Sequence, residues 1–324
     1  MTIEINDRNI KIWSTIGPRA TFGTSALEFV KKYKNLMILT CDVSTSAGLD
    51  RFRKIYPDNY LDLGIAEQNM IGVAAGLSSE GYNVVTTTFA PFQVIRCCEQ
   101  IKVNIGYMKQ KISMVGIASG LVLGNLGYTH CCIEDIGILR SIPNIQIISP
   151  ADSLETVKAF EACLNSKTSN YIRLTGGSNN PIVYKKDYNF KIGKSIKLVE
   201  GSEVAIFCNG AMVHECIKSS NILKEKNINA SVINMHTIKP LDEEAILNEA
   251  SKTKLIVSVE EHNIIGGLGT AISECIIKKK DHPALLKIGI EDYYSKGGSY
   301  GYLKDLYGLT SQKIVDKIQK KLNE

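Results

Sequence analysis

Short runs of apolar and β-branched residues recur along this chain, and each is followed by a segment long enough for a helix. This alternation is typical of parallel sheets, because helical crossovers cover both faces of the strands. The rhythm stops in a stretch rich in Gly, Asn and Lys at 175–194 and then starts again. The sequence therefore predicts an α/β fold of two tandem doubly wound parallel-sheet domains. The predicted strands are 36–42, 82–89, 112–119, 146–149, 171–174, 204–209, 230–235, 254–260 and 285–290, with a final helix at 311–322.

The length of 324 residues suits two domains of ordinary size, each with its own core. We place the first domain at residues 1–184, a linker at 185–195 and the second domain at 196–324. No apolar run reaches the roughly 18 residues of a membrane-spanning helix, and the first residues lack the apolar core of a signal peptide. We therefore expect a cytoplasmic protein without a membrane partner.

The cysteines and the charge exclude two further classes of function. The nine cysteines show no C-x-x-C spacing, which indicates reduced, buried thiols and no metal site. The net charge of +5 comes from scattered lysines without interleaved aromatic residues. That pattern is typical of solvated helix faces, so we expect no nucleic-acid partner.

Several residues able to do chemistry follow the predicted strands. In open α/β sheets, ligands bind beyond the carboxyl ends of the strands. Asp42 and Ser46 lie at and after the end of the first predicted strand. Phe89 is the last residue of the second, and Phe92 follows it. His130 lies in the loop after the third. Taken singly, aromatic residues and a lone histidine are more often structural than functional. Their shared position at strand ends makes them candidates for one site.

Glu67 lies in the first turn of a predicted helix rich in Gly and Ala. A carboxylate there is stabilised by about 0.3–1 kcal/mol, which alone would explain it as an ordinary helix-start charge. However, Gly64, Ile65 and Glu67 match the core motif of the transketolase pyrimidine-binding domain. Other stretches continue the resemblance in order over nearly the whole chain, the last two being similar to the family's C-terminal domain. They are Thr-Phe-Ala-Pro-Phe at 88–92, Gly-Tyr-Thr-His at 127–130, the runs 133–144 and 149–152, Val-Glu-Glu-His at 259–262 and Gly-Gly-Leu-Gly at 266–269.

The resemblance implies thiamin diphosphate as cofactor and assigns it several residues. Glu67 would be the acid that protonates the aminopyrimidine ring, which in turn removes the reactive proton of the thiazolium. Phe89 and Phe92 would form the face on which that ring stacks, and Asp42 would lie near the thiazolium. Arg96, one helical turn beyond Phe92, either reaches the same pocket or is an exposed helix charge.

The resemblance also assigns residues to the substrate. His130 ends the family's Gly-x-Thr-His pattern and would assist proton movement on substrate oxygens. Ser46 would lie near the substrate. Asn125 stands beside Leu126, which occupies the place of an acidic residue in the family. His262 precedes a glycine-rich helix start, and its role stays open between interface packing and anion binding.

Full-length members of the family bind Mg²⁺ and the diphosphate through a Gly-Asp-Gly motif, which this sequence lacks. We therefore expect an N-terminal-half partner subunit to supply the diphosphate domain and most of the Mg²⁺ binding. The active site would then be shared between two polypeptides. By analogy with the family, the assembly would be an α₂β₂ heterotetramer.

The substrate side departs from the family. Transketolases hold the distal phosphate of their sugars with two arginines and a histidine, and alignment places Phe22, Ala118 and Gly176 there. Apolar groups do not replace a bidentate arginine. We hypothesise that one substrate is not a standard sugar phosphate but, for instance, an unphosphorylated or nucleotide-linked keto sugar. Arg19 and Arg173 are nearby in sequence and could restore such a clamp.

The function predicted from these residues is transfer of a two-carbon ketol unit from a ketose donor to an aldose or keto-sugar acceptor. Two alternative enzymes share the glutamate and both domains: the β subunit of a 2-oxo-acid dehydrogenase E1 component and a 1-deoxyxylulose-phosphate-type synthase. The run at 127–130 resembles transketolase more closely. A non-catalytic cofactor-binding subunit is the remaining alternative, suggested by the missing clamp and opposed by the retained cofactor residues.

Overall fold

The computed structural model describes residues 3–324. They form two α/β units joined by a segment without helix or strand. The strands are β1 Leu36–Thr40, β2 Tyr60–Asp62, β3 Asn83–Phe89, β4 Ile112–Ile117, β5 Ile145–Ile148, β6 Ser169–Arg173, β7 Ile196–Val199, β8 Val204–Cys208, β9 Ala230–Asn234, β10 Thr237–Lys239, β11 Leu255–Asn263 and β12 Ala284–Ile290. The α-helices are α1 Asp7–Lys32, α2 Asp50–Ile55, α3 Glu67–Ser79, α4 Ala90–Val94, α5 Cys98–Gln100, α6 Asp135–Arg140, α7 Ser153–Asn165, α8 Met212–Glu225, α9 Glu243–Ala250, α10 Leu268–Ile276, α11 Tyr300–Leu306 and α12 Ser311–Leu322. Short 3₁₀ turns at Pro57–Asn59 and Gly124–Leu126 and a π-helical turn at Ile101–Tyr107 complete the secondary structure.

Both sheets are mainly parallel, which confirms the predicted fold class. The first has seven strands in the order β10-β5-β6-β4-β3-β1-β2, and only β10 runs antiparallel to its neighbour. The second has five strands in the order β12-β11-β8-β9-β7, with β7 antiparallel to β9. The central strands are buried on both faces, as the continuous apolar runs indicate.

Three short strands escape prediction, namely β2, β7 and β10. Each has only three or four residues. β10 belongs to the second half of the chain but pairs with β5 of the first sheet, where Thr237 lies opposite Ile148. The two halves are therefore interlocked at this edge, and the division at 185–195 stays a prediction.

On one face of the first sheet, the core lies between the sheet and two helices, α1 and α7. α1 bends at Gly17, which has a φ of 80° and is followed by Pro18. Beyond the bend, Phe22 and Phe29 contact Phe160 of α7 edge-on, with ring centroids 4.9 and 5.3 Å apart. Burying each such ring contributes about 1.5–3 kcal/mol. This packing holds one face of the sheet and leaves the strand ends for the loops described next.

Within residues 3–324, no helix has the length and apolar character that crossing a membrane requires. The cysteines of this part of the chain are all free thiols, and every one except the partly exposed Cys98 is buried. Burial raises the pKa of several of them, for example Cys131 to about 11, so these thiols stay protonated and uncharged.

Candidate active site

Asp62 connects the end of β1 to the turn before α3, and sequence reasoning did not single it out. Its Oδ1 accepts the backbone N–H groups of Asp42 and Gly64, each at 3.0 Å. Its Oδ2 accepts the hydroxyls of Thr40 at 3.1 Å and Tyr60 at 3.2 Å. Burial by itself would raise the pKa of Asp62, but these hydrogen bonds lower it below its usual value. An aspartate two residues before a glycine of positive φ is the signal that could have identified it.

Glu67 opens α3 directly after that turn, and only 3% of its surface is exposed. Its Oε2 accepts a hydrogen bond from Arg96 Nη1 at 2.8 Å, and no hydrogen bond from residues 3–324 reaches Oε1. Burial raises the pKa of the neighbouring thiols of Cys41 and Cys97 to about 11 and about 12, so both are neutral. Glu67 is therefore a buried carboxylate with one oxygen available to a hydrogen-bond donor.

Arg96 contacts Glu67 and Phe92, while its assignment to the cofactor stays a prediction. Besides its bond to Glu67, its guanidinium carbon lies 4.2 Å from the centroid of the Phe92 ring. A cation over an aromatic face contributes about 0.5–1 kcal/mol where the site is partly solvated. The side chain is 42% exposed, so the ion pair lies at the boundary between protein and solvent.

Phe89, Phe92 and His130 form one aromatic cluster beside that ion pair. The ring centroids are 6.2 Å apart for Phe89 and Phe92, 5.9 Å for Phe89 and His130, and 5.4 Å for Phe92 and His130. Phe89 is the last residue of β3, and Pro91 lies in the first turn of the short α4 that carries Phe92. All three rings are half-buried, which leaves ring surface for a flat ligand.

His130 lies in the long loop that follows β4. Two backbone hydrogen bonds close the base of this loop, from Gly120 N to Cys132 O at 2.8 Å and from Cys132 N to Gly120 O at 3.1 Å. Gly127, with a φ of 77°, accepts the N–H of His130 at 3.0 Å. The Nδ1 of His130 lies 3.0 Å from the Thr129 hydroxyl.

Three other predicted site residues are not joined to this group. Asp42 is exposed, with a φ of 55°, Ser46 is half-buried and Asn125 is exposed. Among the described residues, no side-chain hydrogen bond links any of them to the Glu67 and Arg96 pair or to the aromatic cluster. Their roles stay predictions.

The three positions aligned with the family's phosphate clamp do not offer a clamp. Phe22 is buried in the core and contacts Phe160. Ala118 is fully buried, with a φ of 55°. Gly176 has a φ of 79°, which strains any residue with a side chain, and a Cβ atom there would lie 2.5 Å from the side-chain nitrogen of Asn180.

The two arginines that could replace the clamp have different environments. Arg173 is fully buried and pairs with Asp135 at 2.9 Å, so the idea that it binds substrate is wrong. Arg19 is half-buried, and burial lowers its pKa. Among residues 3–324 it has no ion-pair partner within 4.0 Å. Arg19 is therefore the one of the two that could contact an anion.

His262 is fully buried between the two units, which favours the packing interpretation over anion binding. Its Nδ1 donates to the carbonyl of Asn263 at 2.7 Å, and its Nε2 accepts the N–H of Gly137 at 3.2 Å. Burial lowers its pKa to about 4, in agreement with a neutral ring that uses both nitrogens.

Comparison with known proteins identifies the family. Residues 15–179 match the transketolase pyrimidine-binding domain, and residues 193–314 match the transketolase C-terminal domain. A 6-deoxy-6-sulfo-D-fructose transketolase subunit from Clostridium sp. is 36% identical over 297 residues, 92% of each chain. One of the subunits of an apulose-4-phosphate transketolase from Actinobacillus succinogenes is 35% identical over 288 residues, 89% of this chain and 92% of that one.

The solved structures agree with the sequence relatives. A protein described as a split gene transketolase, inactive β4 tetramer, superimposes with a TM-score of 0.85 at 32% identity and covers 95% of this chain and 98% of its own. The transketolase of Campylobacter jejuni shares the fold over 94% of this chain and 46% of its own, with a TM-score of 0.78 at 20% identity. The resemblance noted in the sequence is thereby confirmed: this chain belongs to the transketolase family, as a transferase subunit that contains the family's pyrimidine-binding and C-terminal domains.

Proposed function

We propose that this chain and an N-terminal-half partner form a thiamin-diphosphate-dependent transketolase, which moves a two-carbon ketol unit from a ketose to an aldose or keto-sugar acceptor. The observation that carries the proposal is Glu67. Its carboxylate is buried, one oxygen is held by Arg96, and the other is free of donors from residues 3–324. A half-buried aromatic cluster lies beside it.

These residues fit the aminopyrimidine part of thiamin diphosphate. When bound, the cofactor supplies a carbon nucleophile that can carry a ketol unit. Glu67 Oε1 would hold a proton at a pyrimidine ring nitrogen, and a charged hydrogen bond of this kind contributes about 1.5–3 kcal/mol. Phe89 and Phe92 would contact the flat ring, while Arg96 fixes the orientation of the carboxyl group.

His130 would act on the substrate side of the same cluster. Its ring lies 5.4 Å from that of Phe92 and is half-buried, so an imidazole nitrogen can exchange a proton with a sugar oxygen. Asp42 is proposed near the thiazolium, and Ser46 and Asn125 near the substrate. The partner subunit would hold the diphosphate and Mg²⁺, because Gly-Asp-Gly is absent from this sequence.

The exposed face of α3 supports a protein partner. Gly72 and Gly76 lie on this face, and a Cβ atom at either would meet nothing within 4 Å. Glycine inside a helix costs about 1 kcal/mol relative to alanine, and no packing from residues 3–324 offsets that cost. Ile65, just before the helix, is 78% exposed. We infer that another chain approaches the backbone of α3 closely.

Gly72→Ala tests this face, because it should change stability and assembly in opposite directions. We expect the isolated chain to gain about 0.5–1 kcal/mol in its free energy of unfolding, measured by urea denaturation, and to bind the partner more weakly. Gly301→Ala is a matched control, since Gly301 lies in α11 and also has open space around it. Unchanged partner affinity of Gly72→Ala would remove α3 from the interface.

The assembly is proposed to be α₂β₂. The split gene neighbour is described as an inactive β4 tetramer, which says of that protein that one subunit type alone is inactive. Transfer of this property to the present chain predicts self-association without ketol transfer until the partner is added. Sedimentation of the mixed subunits would distinguish α₂β₂ from a 1:1 complex.

The acceptor is proposed to differ from a standard sugar phosphate. Arg19 is the one candidate guanidinium near the aligned clamp positions that is not buried in an ion pair. A single guanidinium holds an anion less selectively than a clamp of two arginines and a histidine. We expect ribose and ribose 5-phosphate to differ little as acceptors. A strong preference for ribose 5-phosphate would sink this hypothesis.

Calorimetry of thiamin diphosphate with Mg²⁺ tests the shared site. The titrations use this chain alone, the N-terminal-half subunit alone and their mixture. We expect binding at micromolar cofactor only in the mixture, followed by ketol transfer there. Tight binding by this chain alone, or no binding in the mixture, would refute the shared site.

A further inference from the structure

The loop that carries His130 is held largely by the other half of the chain. We define the His130 loop as residues 119–134. Its base is closed by the two hydrogen bonds between Gly120 and Cys132, and its tip contains the 3₁₀ turn Gly124–Leu126. Two of the predicted site residues, Asn125 and His130, lie on it.

Glu261 of β11 holds the base of the loop. Its carboxylate is fully buried; Oε1 accepts the backbone N–H of Leu121 at 2.6 Å and Oε2 accepts the hydroxyl of Tyr300 at 2.7 Å. The contact is close, because a Cβ atom at Gly120 would lie 2.2 Å from Glu261 Oε1. A buried carboxylate with both oxygens satisfied fixes the backbone that it bonds.

The tip of the loop is held by the segment before and within α11. Gly124 O accepts the N–H of Gly298 at 2.9 Å, and a Cβ atom at Gly124 would lie 2.2 Å from Leu303 Cδ1. The hydroxyl of Tyr128 contacts the hydroxyl of Tyr307 and lies 3.0 Å from Ser295 Oγ. Tyr128 is two residues before His130, so these contacts restrain the backbone that carries the imidazole.

The first unit contacts the loop at its base and through aromatic rings. At the base, Ser119 N donates to Leu174 O at 2.9 Å and Arg173 Nη2 donates to Cys132 O at 3.3 Å. Near His130, the contacts with that unit are those of the imidazole with the rings of Phe89 and Phe92. Ring contacts of this sort allow sliding, whereas the hydrogen bonds to the second unit are directional. The hydrogen bonds between the units that lie nearest His130, those of Tyr128 with Tyr307 and Ser295, therefore involve the second unit.

We propose that Glu261, Tyr128 and Tyr307 are positioning residues through which the C-terminal domain sets the placement of His130 against the sugar substrate. This rests on the proposed function of His130. The C-terminal domain then serves the substrate step and leaves cofactor binding, which depends on Glu67 and its neighbours, unaffected. The same contacts couple the geometry of the loop to the packing of α11.

Tyr128→Phe in the assembled two-subunit enzyme tests the proposal, because it removes one hydroxyl and little else. We expect kcat/KM for the ketose donor to fall about 10-fold, since small misplacements of a catalytic group reduce rates strongly. The half-saturating concentration of thiamin diphosphate should stay within about 2-fold. Tyr302→Phe is the matched control, because Tyr302 is an exposed tyrosine of α11 whose hydroxyl bonds no described residue.

Glu261 offers a rescue test in the same assay. Glu261→Gln keeps an oxygen for the N–H of Leu121 and should retain most of the activity, whereas Glu261→Ala should lose as much as Tyr128→Phe or more. A fall in cofactor affinity that parallels the fall in rate would overturn the proposal, because it would indicate general damage. Equal losses for the Gln and Ala variants would also overturn it.

Amide hydrogen exchange of this chain alone gives a readout that does not need activity. We expect Tyr128→Phe and Glu261→Ala to speed exchange in residues 119–134, with unchanged exchange in α3. Unchanged exchange in the loop would contradict the proposal. If the wild-type mixture shows no ketol transfer, the proposed function fails, while the exchange data still decide whether the second unit holds the loop.

Discussion

Two arginine–carboxylate pairs lie near the strand ends of the first sheet, and they differ in what they leave unsatisfied. In the closed pair, Arg173 and Asp135 are both fully buried, and Arg173 Nε bonds the Asp135 carboxylate at 2.9 and 3.0 Å. Tyr171 donates its hydroxyl to the same carboxylate at 2.7 Å. In the open pair, Arg96 is 42% exposed and holds one oxygen of Glu67.

The difference separates a structural role from a chemical one. Every oxygen of Asp135 has a donor inside the protein, and the one unpaired donor of the closed pair, Arg173 Nη1, is fully buried. A ligand therefore has no access to the closed pair. Glu67 keeps one oxygen without a donor from residues 3–324, beside half-buried rings. Buried carboxylates are costly unless hydrogen-bonded. Glu67 lacks one hydrogen-bond donor, and a bound cofactor would supply it.

The largest expected effect is on the closed pair. Arg173→Met removes the only guanidinium bonded to Asp135 within the described residues and leaves a buried, uncompensated carboxylate. We expect a loss of about 3–5 kcal/mol in the free energy of unfolding, measured by urea denaturation. The double variant Arg173→Met with Asp135→Leu should recover most of it. A loss below about 1 kcal/mol would break the distinction between the pairs.

The next effect concerns the pH dependence of stability at His262, which is buried beside the closed pair. His262 has a pKa of about 4 in the fold against 6.5 unfolded, so between these values the unfolded chain binds more protons. Stability contributed by the neutral ring is full above pH 6.5 and is lost as pH falls towards 4, by about 3 kcal/mol in total. Removing that titration with His262→Gln should flatten stability against pH in this window.

Nearby acids must be separated from this effect. Glu260, with its pKa raised to about 7 by burial, has the opposite slope, since its stability contribution falls as pH rises from 4.5 to 7. It is present in both proteins, so the difference between wild type and His262→Gln isolates the histidine. Asp135 and Glu260 each lie 3.9 Å from a ring nitrogen. A pH-independent difference would show that His262 titrates normally.

The smallest effect on stability belongs to the open pair. Arg96→Met should cost less than Arg173→Met, about 1–3 kcal/mol in unfolding free energy, because it leaves the buried Glu67 carboxylate without a donor from residues 3–324 while Arg96 itself is 42% exposed. Activity should fall about 10-fold, as Glu67 loses its orientation. Arg53→Met is a control, since Arg53 forms an exposed ion pair with Asp50 in α2. A stability loss as large as that of Arg173→Met would contradict the comparison.

The open site was largely predictable and the closed network was not. Phe89, Phe92 and His130 lie at or after the ends of strands that the apolar runs predict, and Glu67 lies in the first turn of a predicted helix. The family resemblance then assigned all four to one site. Asp135 and Arg173 meet from positions 38 residues apart, which no local pattern indicates.

The misplacements have physical reasons too. Phe22 aligns with a clamp position, but it lies on the buried face of α1 and contacts Phe160 in the core. Arg19 lies one helical turn before it. β10 was missed because a strand of three residues carries no alternation of its own and depends on β5 of the other unit. Asp62 was overlooked because its role is to accept backbone N–H groups, which side-chain motifs do not reveal.

The most direct test compares Glu67→Gln with Asp135→Asn in the assembled enzyme, measuring kcat and the free energy of unfolding for both. We predict that Glu67→Gln lowers kcat by about 10² to 10⁴ and changes stability by less than about 1 kcal/mol. Asp135→Asn should instead lose about 3–5 kcal/mol of stability while folded molecules keep their kcat. Full activity of Glu67→Gln, or a stability loss equal to that of Asp135→Asn, would contradict the assignment of Glu67 to the cofactor.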